Sequence, residues 1–341
     1  MSGNVHAFDE RLLAGYLERH VEGFRGPLRA VKFPGGQSNP TFRLEAASGD
    51  YVLRRKPPGQ LLKSAHAVER EYRVMHALRD TGVPVPRVFH LCEDEAILGS
   101  TFFLMEFVPG RVFWNAALPE LEPAARGACY DEMNRVLAAI HRVDVSAAGL
   151  ADYGKAGSYY QRQIGRWSQQ YRASETEAIE AMEALMGWLP THPPKEDERV
   201  SLTHGDYRLD NFIFHPERAR IVAVVDWELS TLGHPLADLA YQCMQWRIAA
   251  EGPLPGLGDL DRASLGLPTE EQYVAAYCRR MGIASIPDWG FYLAFSFFRF
   301  AAILQGVLKR SLEGNASSDR ALQMGTLVRP LAALGCRAAG L

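Results

Sequence analysis

The stretch from residue 201 to residue 239 constrains this chain more than any other part of it. It reads SLTHGDYRLDNFIFHPERARIVAVVDWELSTLGHPLADL. Two runs of strand-forming residues, 212–214 and 221–225, flank the segment HPERAR, whose proline and charged residues are typical of a turn. We therefore predict a hairpin in which Phe214 lies opposite Ile221.

The open end of this hairpin carries two candidate metal ligands. Asn211 precedes the first strand and Asp226 follows the second, so we expect their side-chain oxygens to meet. Mg2+ prefers oxygen ligands and keeps waters and substrate phosphates, so one amide and one carboxylate are a sufficient protein contribution. Asp206 lies five residues before Asn211, in a loop headed by His204 and Gly205. A carboxylate beside a metal that does not need it as a ligand can orient or deprotonate a hydroxyl.

These groups follow the order of kinase catalytic parts, although His-Gly-Asp replaces His-Arg-Asp and Asp-Trp-Glu replaces Asp-Phe-Gly. HGDxxxxN followed by an apolar run and an aspartate resembles the aminoglycoside phosphotransferase and choline kinase family, which has the protein-kinase-like fold and phosphorylates small molecules. The segment at 233–239 extends the resemblance, which implies that Asp238 supports the loop backbone. The alternative is that Asp206, Asn211 and Asp226 are turn formers that bond their own backbone.

The chain has 341 residues, 47% of them hydrophobic, and can bury a core large enough for two lobes. The resemblance implies an α+β, protein-kinase-like bilobal fold, with a small antiparallel-sheet N-lobe in residues 1–108 and a mainly helical C-lobe in residues 109–341. Strand-like patterns cover residues 28–33, 41–46, 51–56, 83–91 at a sheet edge, and 101–110. Helical periodicity covers residues 8–22, 65–78, 122–142, 270–281, 288–309 and 317–335.

A glycine turn between the first two predicted strands is a candidate phosphate site. Gly35, Gly36, Gln37 and Ser38, followed by Asn39, combine a sharp backbone turn with exposed N–H groups and small polar side chains. A glycine pair between strands is also typical of an ordinary hairpin, and the GxGxxG pattern of protein kinases is absent here. The position favours the phosphate interpretation, because the kinase resemblance requires a phosphate-covering loop there.

Arg54 on the third predicted strand is the candidate phosphate-gripping cation. It stands where the resemblance places the lysine of Val-Ala-Ile-Lys, and a guanidinium can bind phosphate oxygens in bidentate fashion. Lys56 lies on the same side of the strand and is the alternative, and either side chain could instead be a solvated charge. The resemblance makes Glu71 the ion-pair partner of Arg54, with Glu69 as the rival. It also places adenine against the backbone from Glu106 to Val108.

Two further groups of cationic or aromatic residues have open interpretations. Arg208 lies two residues after Asp206, where serine/threonine kinases keep a lysine that stabilises charge on the transferring phosphate; the alternative is a surface arginine. Residues 153–188 are rich in tyrosine, tryptophan and arginine. This segment either packs against the rest of the C-lobe or forms an acceptor-binding wall, with arginines for an anionic acceptor.

Composition excludes several classes of function. The net charge of −3, without a long basic block, gives no electrostatic footprint for nucleic acid. The apolar run at 291–298 ends at Arg299 and is too short to span a bilayer, and no signal sequence is evident, so we expect a cytoplasmic protein without membrane contact. Five scattered cysteines without a CxxC pair are expected to be reduced thiols.

A closer resemblance concerns the substrate. YVLRRKPPG, HGDYRLDN and DWELSTLGHPLADL together look like the phosphotransferase domains that are fused to, or grouped with, acyl-CoA dehydrogenases, over nearly the whole chain. The resemblance implies Mg2+- and ATP-dependent phosphorylation of a hydroxyl on a small-molecule acceptor, such as a hydroxyacyl-CoA or a related hydroxy acid. It also suggests an acyl-CoA dehydrogenase as a partner. The alternatives are an aminoglycoside or choline-type kinase, and a catalytically silent nucleotide-binding partner of such a dehydrogenase.

Overall fold

A five-stranded antiparallel sheet dominates the first third of the chain. The structure is a computed structural model that describes residues 8–33, 39–57, 66–155, 157–195, 199–313 and 319–341. The strands pair in the order β1-β2-β3-β5-β4, and the predicted sheet, with β4 at an edge, is confirmed. The elements here are α1 (Glu10–His20), β1 (Leu28–Lys32), β2 (Thr41–Ala46), β3 (Gly49–Arg55), α2 (Val68–Leu78), β4 (Val88–Cys92), α3 (Glu95–Leu98) and β5 (Phe102–Glu106).

Alternation along the strands gives this sheet two apolar faces. Leu104 of β5 belongs to the core that includes α1, whereas Met105 belongs to the core that includes α2. Val52 of β3 lies in the same core as α2. Arg54 follows Val52 by two residues and therefore lies on the face that α2 covers. The strand period thus directs the candidate phosphate-gripping cation toward the helix that carries its predicted partner.

Helices dominate the remainder of the chain, with two small β-pairs among them. The hairpin of β7 and β8 pairs Phe214 with Ile221, as predicted, and β6 pairs with β9. The elements are α4 (Pro123–His141), α5 (Tyr159–Ser174), α6 (Glu180–Trp188), β6 (Ser201–Thr203), β7 (Phe212–Phe214), β8 (Ile221–Val224), β9 (Thr231–Gly233), α7 (Leu236–Cys243), α8 (Glu270–Met281), α9 (Trp289–Leu312), α10 (Asp319–Gly325) and α11 (Val328–Ala339).

The single helix predicted over 317–335 is wrong, because two helices occupy this segment. Helix α10 ends at Gly325, where a Cβ atom would lie 2.6 Å from a methyl carbon of Leu308 on α9. Close approach to α9 therefore requires a glycine at this point, and glycine favours helix ends. Two turn hydrogen bonds, at Thr326 and Leu327, then lead into α11.

Helix α9 is longer than its sequence suggested. It runs for 24 residues, is long and apolar enough to cross a membrane by length and composition, and has 83% of its most apolar window buried inside the protein. Arg299 does not end the apolar segment, because its buried guanidinium donates to the carbonyl oxygen of Gly205 at 2.7 Å. Helix α9 packs against α5, α7, α10 and α11 and places Arg299 beneath the loop that carries Asp206.

Candidate active site

Asp238 holds the backbone of the loop that carries Asp206. One of its carboxylate oxygens accepts from the backbone N–H of His204 at 2.6 Å, and the other accepts from that of Gly205 at 2.9 Å. These bonds confirm the structural role predicted for Asp238. Burial by itself would raise the pKa of this carboxyl, but the hydrogen bond and charge of His141 hold the pKa below its usual value. Asp238 therefore stays ionised and remains a strong acceptor.

Gly205 accounts for the replacement of His-Arg-Asp by His-Gly-Asp. Its φ of +83° lies in the left-handed region, which side chains other than glycine rarely adopt. A Cβ atom on this residue would lie 2.4 Å from the carbonyl oxygen of Leu229. An arginine cannot occupy this position without moving the neighbouring segment.

Two side chains hold the carboxylate of Asp206. Asn211 donates from Nδ2 to Oδ2 of Asp206 at 3.1 Å and to the backbone oxygen of Asp206 at 2.9 Å. Tyr241 donates its hydroxyl to Oδ1 of Asp206 at 2.7 Å. Sequence reasoning missed Tyr241. Its spacing of three residues from Asp238 was the available signal, because residues three apart share a face if the segment is helical, as it is in α7.

Asp226 lies at the same end of the hairpin as Asn211. The backbone N–H of Val225 donates to the carbonyl oxygen of Asn211 at 3.0 Å, and Nε2 of His204 meets the carbonyl oxygen of Val225 at 3.0 Å. Asp226 itself has a φ of +64°, which is unusual for a residue with a side chain and often marks a functional position. The hairpin therefore brings the backbone at Asn211 and Asp226 to one end, and Asp206 joins this end through its hydrogen bond from Asn211.

Arg54 reaches this place from the N-lobe. Its guanidinium contacts Asp226 at 2.5 Å and Glu71 at 2.9 Å, whereas Lys56 pairs with Glu69 at 2.8 Å. Both predicted cations thus have partners on α2, and Arg54 is the one that also contacts the second aspartate. Burial would lower the pKa of Arg54, but Glu71 and Asp226 outweigh it, so the pKa is raised and the side chain stays charged.

Three carboxylates share the positive charge of Arg54. Oxygen atoms of Glu71, Asp226 and Glu228 all lie within 4.8 Å of one another. Burial, followed by the charges of Asp226 and Glu228, raises the pKa of Glu71 despite its ion pair with Arg54. Carboxylate oxygens grouped at this spacing are ligands of the kind that Mg2+ prefers.

Asn39, which the sequence analysis places at the end of the glycine turn, belongs to this cluster, and so does Glu228, which sequence reasoning did not assign. The buried amide of Asn39 donates to Glu71 at 3.1 Å and to Glu228 at 3.4 Å. The sequence signal for Glu228 was its place in Asp-Trp-Glu, two residues after Asp226. Asn39 directly follows the predicted glycine turn. Gly35, Gly36, Gln37 and Ser38 themselves lie outside the described residues.

The linker residues predicted to meet adenine have different backbone environments. The N–H of Glu106 donates to the carbonyl oxygen of Arg87 at 2.8 Å, and the Glu106 carboxylate accepts from the N–H of Arg87 at 3.1 Å. The N–H of Glu106 is therefore engaged within the sheet. A base at this linker would have to use the carbonyl group of Glu106 or the backbone of Val108, which follows β5.

Arg208 is bound to a neighbouring carboxylate. Its guanidinium makes two contacts with Asp210, one of them from Nε at 2.5 Å. Burial would lower the pKa of Arg208, but the charges of Asp206 and Asp210 outweigh it and the pKa is raised. Arg208 is therefore not a free surface arginine, because its guanidinium is paired with Asp210. It lines a cavity beside Asp206.

This cavity is mainly apolar. It has a volume of about 290 Å3, and Asp210, already paired with Arg208, is the one carboxylate among the described residues that line it. Tyr241 connects the cavity with Asp206, since it lines the first and donates to the second. The apolar side chains of the described wall are Trp114, Ala116, Leu209, Met244, Ile248, Pro253, Leu254, Pro255 and Phe300.

The aromatic segment at 153–188 serves packing. Five of its aromatic side chains are buried, namely Tyr153, Tyr159, Tyr160, Trp167 and Tyr171. Arg162 donates to the carbonyl oxygen of Lys155 at 2.6 Å, and Arg172 pairs with Glu175 and Glu183. The packing interpretation is therefore the better one, because these arginines are bound to their own neighbourhood.

The chain is similar to known proteins along nearly its whole length. A family model described as "Phosphotransferase enzyme family" matches residues 29–273. The mouse protein named "Acyl-CoA dehydrogenase family member 10" is 52% identical over 326 residues, which are 95% of this chain and 30% of that protein. The human "Acyl-CoA dehydrogenase family member 11" is 42% identical over 335 residues, 97% of this chain and 43% of that protein. The chain thus spans less than half the length of these relatives.

Solved structures are also similar to this chain along nearly its whole length. A crystal structure from Ralstonia eutropha JMP134, of a protein named for the aminoglycoside phosphotransferases, has a TM-score of 0.89 and 53% identity, covering 98% of this chain and 99% of that chain. A ternary complex of APH(4)-Ia with ADP and hygromycin B has a TM-score of 0.63 and 17% identity, covering 96% of this chain and 98% of that chain. The predicted bilobal, kinase-like fold is confirmed.

Proposed function

Because this chain belongs to the phosphotransferase enzyme family and is a small-molecule kinase, we propose that it transfers the γ-phosphate of ATP to a hydroxyl group of a small acceptor. The observation that carries this proposal is the meeting of Asp206, Asn211, Asp226 and Arg54 at one end of the hairpin. In the alternative from sequence, the three polar residues are turn formers. A role in turn formation does not explain why Arg54, a buried arginine of the N-lobe, contacts Asp226.

Asp206 is the proposed proton acceptor. The acceptor O–H gives its proton to the Asp206 carboxylate, and its oxygen forms a bond to the γ-phosphorus. The bond from that phosphorus to the bridging oxygen breaks, and the electron pair leaves with ADP. Arg54 would bind the phosphate oxygens, held by Glu71 at 2.9 Å. The glycine turn of residues 35–38 and the linker from Glu106 to Val108 remain proposed contacts of the nucleotide.

Mg2+ is the proposed metal. Asn211 and Asp226 would hold it, and the grouping of carboxylate oxygens from Glu71, Asp226 and Glu228 within 4.8 Å of one another supports a cation at this place. When bound, the ion would neutralise charge on the phosphate groups. Arg208 is proposed to assist the acceptor side through its pair with Asp210, because both residues line the cavity next to Asp206.

The acceptor is proposed to be a hydroxyacyl-CoA or a related hydroxy acid. An apolar cavity beside Asp206 suits a hydrocarbon chain, since burial of apolar surface is favourable. A polycationic aminoglycoside would call for several free carboxylates, and the described wall offers one that is already paired. An acyl-CoA dehydrogenase remains the proposed partner, because the relatives carry that name and extend well beyond this chain.

Phosphate transfer to a defined panel tests the proposal. Purified protein, Mg2+ and ATP labelled at the γ-phosphate would be offered hydroxyacyl-CoAs, free hydroxy acids, choline and hygromycin B. We expect labelled product from the hydroxyacyl compounds. Transfer to hygromycin B or choline alone would overturn the proposed acceptor. A protein that binds MgATP but transfers phosphate neither to any compound of the panel nor to water would instead support the catalytically silent alternative.

A further inference from the structure

Helix α7 contributes two groups to the loop that carries Asp206. Asp238 accepts the backbone N–H groups of His204 and Gly205, and Tyr241, three residues later, donates to the side chain of Asp206. Residues three apart lie on one helix face, one above the other. One helical turn therefore fixes both the backbone of the loop and the carboxylate that the loop presents.

Tyr241 is held rigidly in place. Its ring is 7% exposed and packs edge-on against Phe300 with ring centroids 5.8 Å apart. The guanidinium of Arg299 lies 5.6 Å from the centroid of the Tyr241 ring, and Arg299 itself donates to the carbonyl oxygen of Gly205. Burial, and then the charge of Asp206, raises the pKa of Tyr241. The hydroxyl thus stays protonated and donates.

The two oxygens of Asp206 have different donors. Tyr241 binds Oδ1 at 2.7 Å, and Asn211 binds Oδ2 at 3.1 Å. A carboxylate held at both oxygens cannot rotate about its bond to Cβ without breaking one of these hydrogen bonds. Asn211 is also a proposed metal ligand, so Tyr241 is the donor on the side of the acceptor cavity.

We propose that Tyr241 is a positioning residue of the transfer step, whose hydroxyl fixes the carboxylate of Asp206 in the orientation that receives the acceptor hydroxyl. This inference rests on the proposed function. Tyr241 acts through Asp206, because the hydroxyl is already committed to that carboxylate. Its loss leaves Oδ1 next to an apolar wall without its donor and lets the carboxylate rotate.

Tyr241→Phe tests this role, because it removes the hydroxyl and keeps the ring that packs against Phe300. Tyr16→Phe is the matched control: Tyr16 is partly buried in the N-lobe against the core that includes α1, and its hydroxyl shares a hydrogen bond with His90 at 2.9 Å. Both variants would be assayed with MgATP and the hydroxyacyl-CoA panel, and for ATP hydrolysis with water as acceptor. Calorimetric MgATP binding and thermal unfolding would be measured alongside.

We expect Tyr241→Phe to lower kcat by about tenfold or more, with MgATP affinity unchanged, whereas Tyr16→Phe keeps kcat. A role in cavity shape alone would raise the KM of the acceptor or lower Tm and leave kcat intact, which would overturn the inference.

The outcomes separate the two proposals. A wild-type protein that binds no MgATP and turns none over removes the proposed function, and this inference with it. A wild-type protein that turns ATP over, together with a Tyr241→Phe variant of equal kcat, removes the positioning role and leaves the proposed function standing.

Discussion

The conformation of the loop that carries Asp206 requires a glycine at position 205. The backbone of Gly205 is left-handed, its N–H donates to Asp238, and its carbonyl oxygen accepts from Arg299. All three features concern the backbone, so they survive only while the residue has no side chain to collide with Leu229. The site therefore depends on the absence of a side chain at one position as much as on the carboxylate at the next.

Gly205→Ala is expected to destabilise the protein and to reduce activity. The left-handed conformation alone costs about 1–2 kcal/mol for a residue with a Cβ atom. The contact of 2.4 Å with Leu229 adds to this, because a backbone oxygen must move. Gly282→Ala is the matched control, since Gly282 has a φ of +70° and open space around its Cβ position. Equal losses of Tm in the two variants would contradict the proposed clash.

Substitution of Asp206 and substitution of Asp226 are expected to have different effects on ATP binding. Asp206→Ala should retain Mg2+-dependent binding of ATP and lose ATP turnover, because the proton acceptor is gone while the metal ligands remain. Asp226→Ala should lose both turnover and the dependence of ATP binding on Mg2+. Titration calorimetry with and without Mg2+ measures binding, and ADP release measures turnover. Turnover at the wild-type rate in either variant would remove the mechanism.

At the scale of elements, helix α2 is tied to the C-lobe next to Glu71. Arg70 donates to the carbonyl oxygen of Tyr153 at 2.9 Å, and its guanidinium lies 4.1 Å from the centroid of the Tyr153 ring. The hydroxyl of Tyr153 shares a hydrogen bond with Ser230 at 2.7 Å. This latch, formed by Arg70, Tyr153 and Ser230, fixes the helix that presents Glu71 to Arg54.

Arg70→Ala should lower kcat/KM by roughly tenfold. The variant loses hydrogen bonds donated by a charged group, which contribute about 1.5–3 kcal/mol, and α2 is then free to shift. Arg73→Ala is the control on the same helix. Arg73 pairs with Asp152, and its side chain is 42% exposed, so a small effect is expected. Steady-state kinetics of both variants decide the matter. A larger loss in Arg73→Ala than in Arg70→Ala would contradict the role of the latch.

At the scale of the whole molecule, one apolar core joins the two lobes. It includes Val52 and Val74 from the N-lobe together with Leu202 and Phe297 from the C-lobe. A shared core couples the unfolding of its parts. The boundary predicted at residues 108 and 109 would then separate two lobes of a single folding unit.

Calorimetric unfolding of the whole chain is expected to show one transition, with equal calorimetric and van't Hoff enthalpies. MgATP at about a hundred times its Kd should stabilise the protein by about 2.7 kcal/mol and shift this single transition upward. Asp226→Ala is the control and should show a smaller shift. Two separate transitions in the wild-type protein would show that the lobes unfold independently.

The sequence by itself determined the local elements and the identity of the central groups. The strand alternation of β2 and β3, the hairpin register of Phe214 with Ile221 and the HGDxxxxN motif all follow from residues near one another in the chain. The spacing of Asp206, Asn211 and Asp226 was sufficient to indicate the family, because the hairpin and the loop before it are local structures. Local periodicity and turn chemistry act over a few residues, so they can be read without the fold.

Only the tertiary structure decided which groups meet across the chain. It brought Arg54 to Asp226, separated by 172 residues, placed Tyr241 on Asp206, and turned the aromatic segment at 153–188 into packing. It also divided the last predicted helix at Gly325, where α9 comes close. These outcomes depend on how helices and sheet pack against one another. Such packing is set by side-chain volumes distant in sequence, which no local pattern encodes.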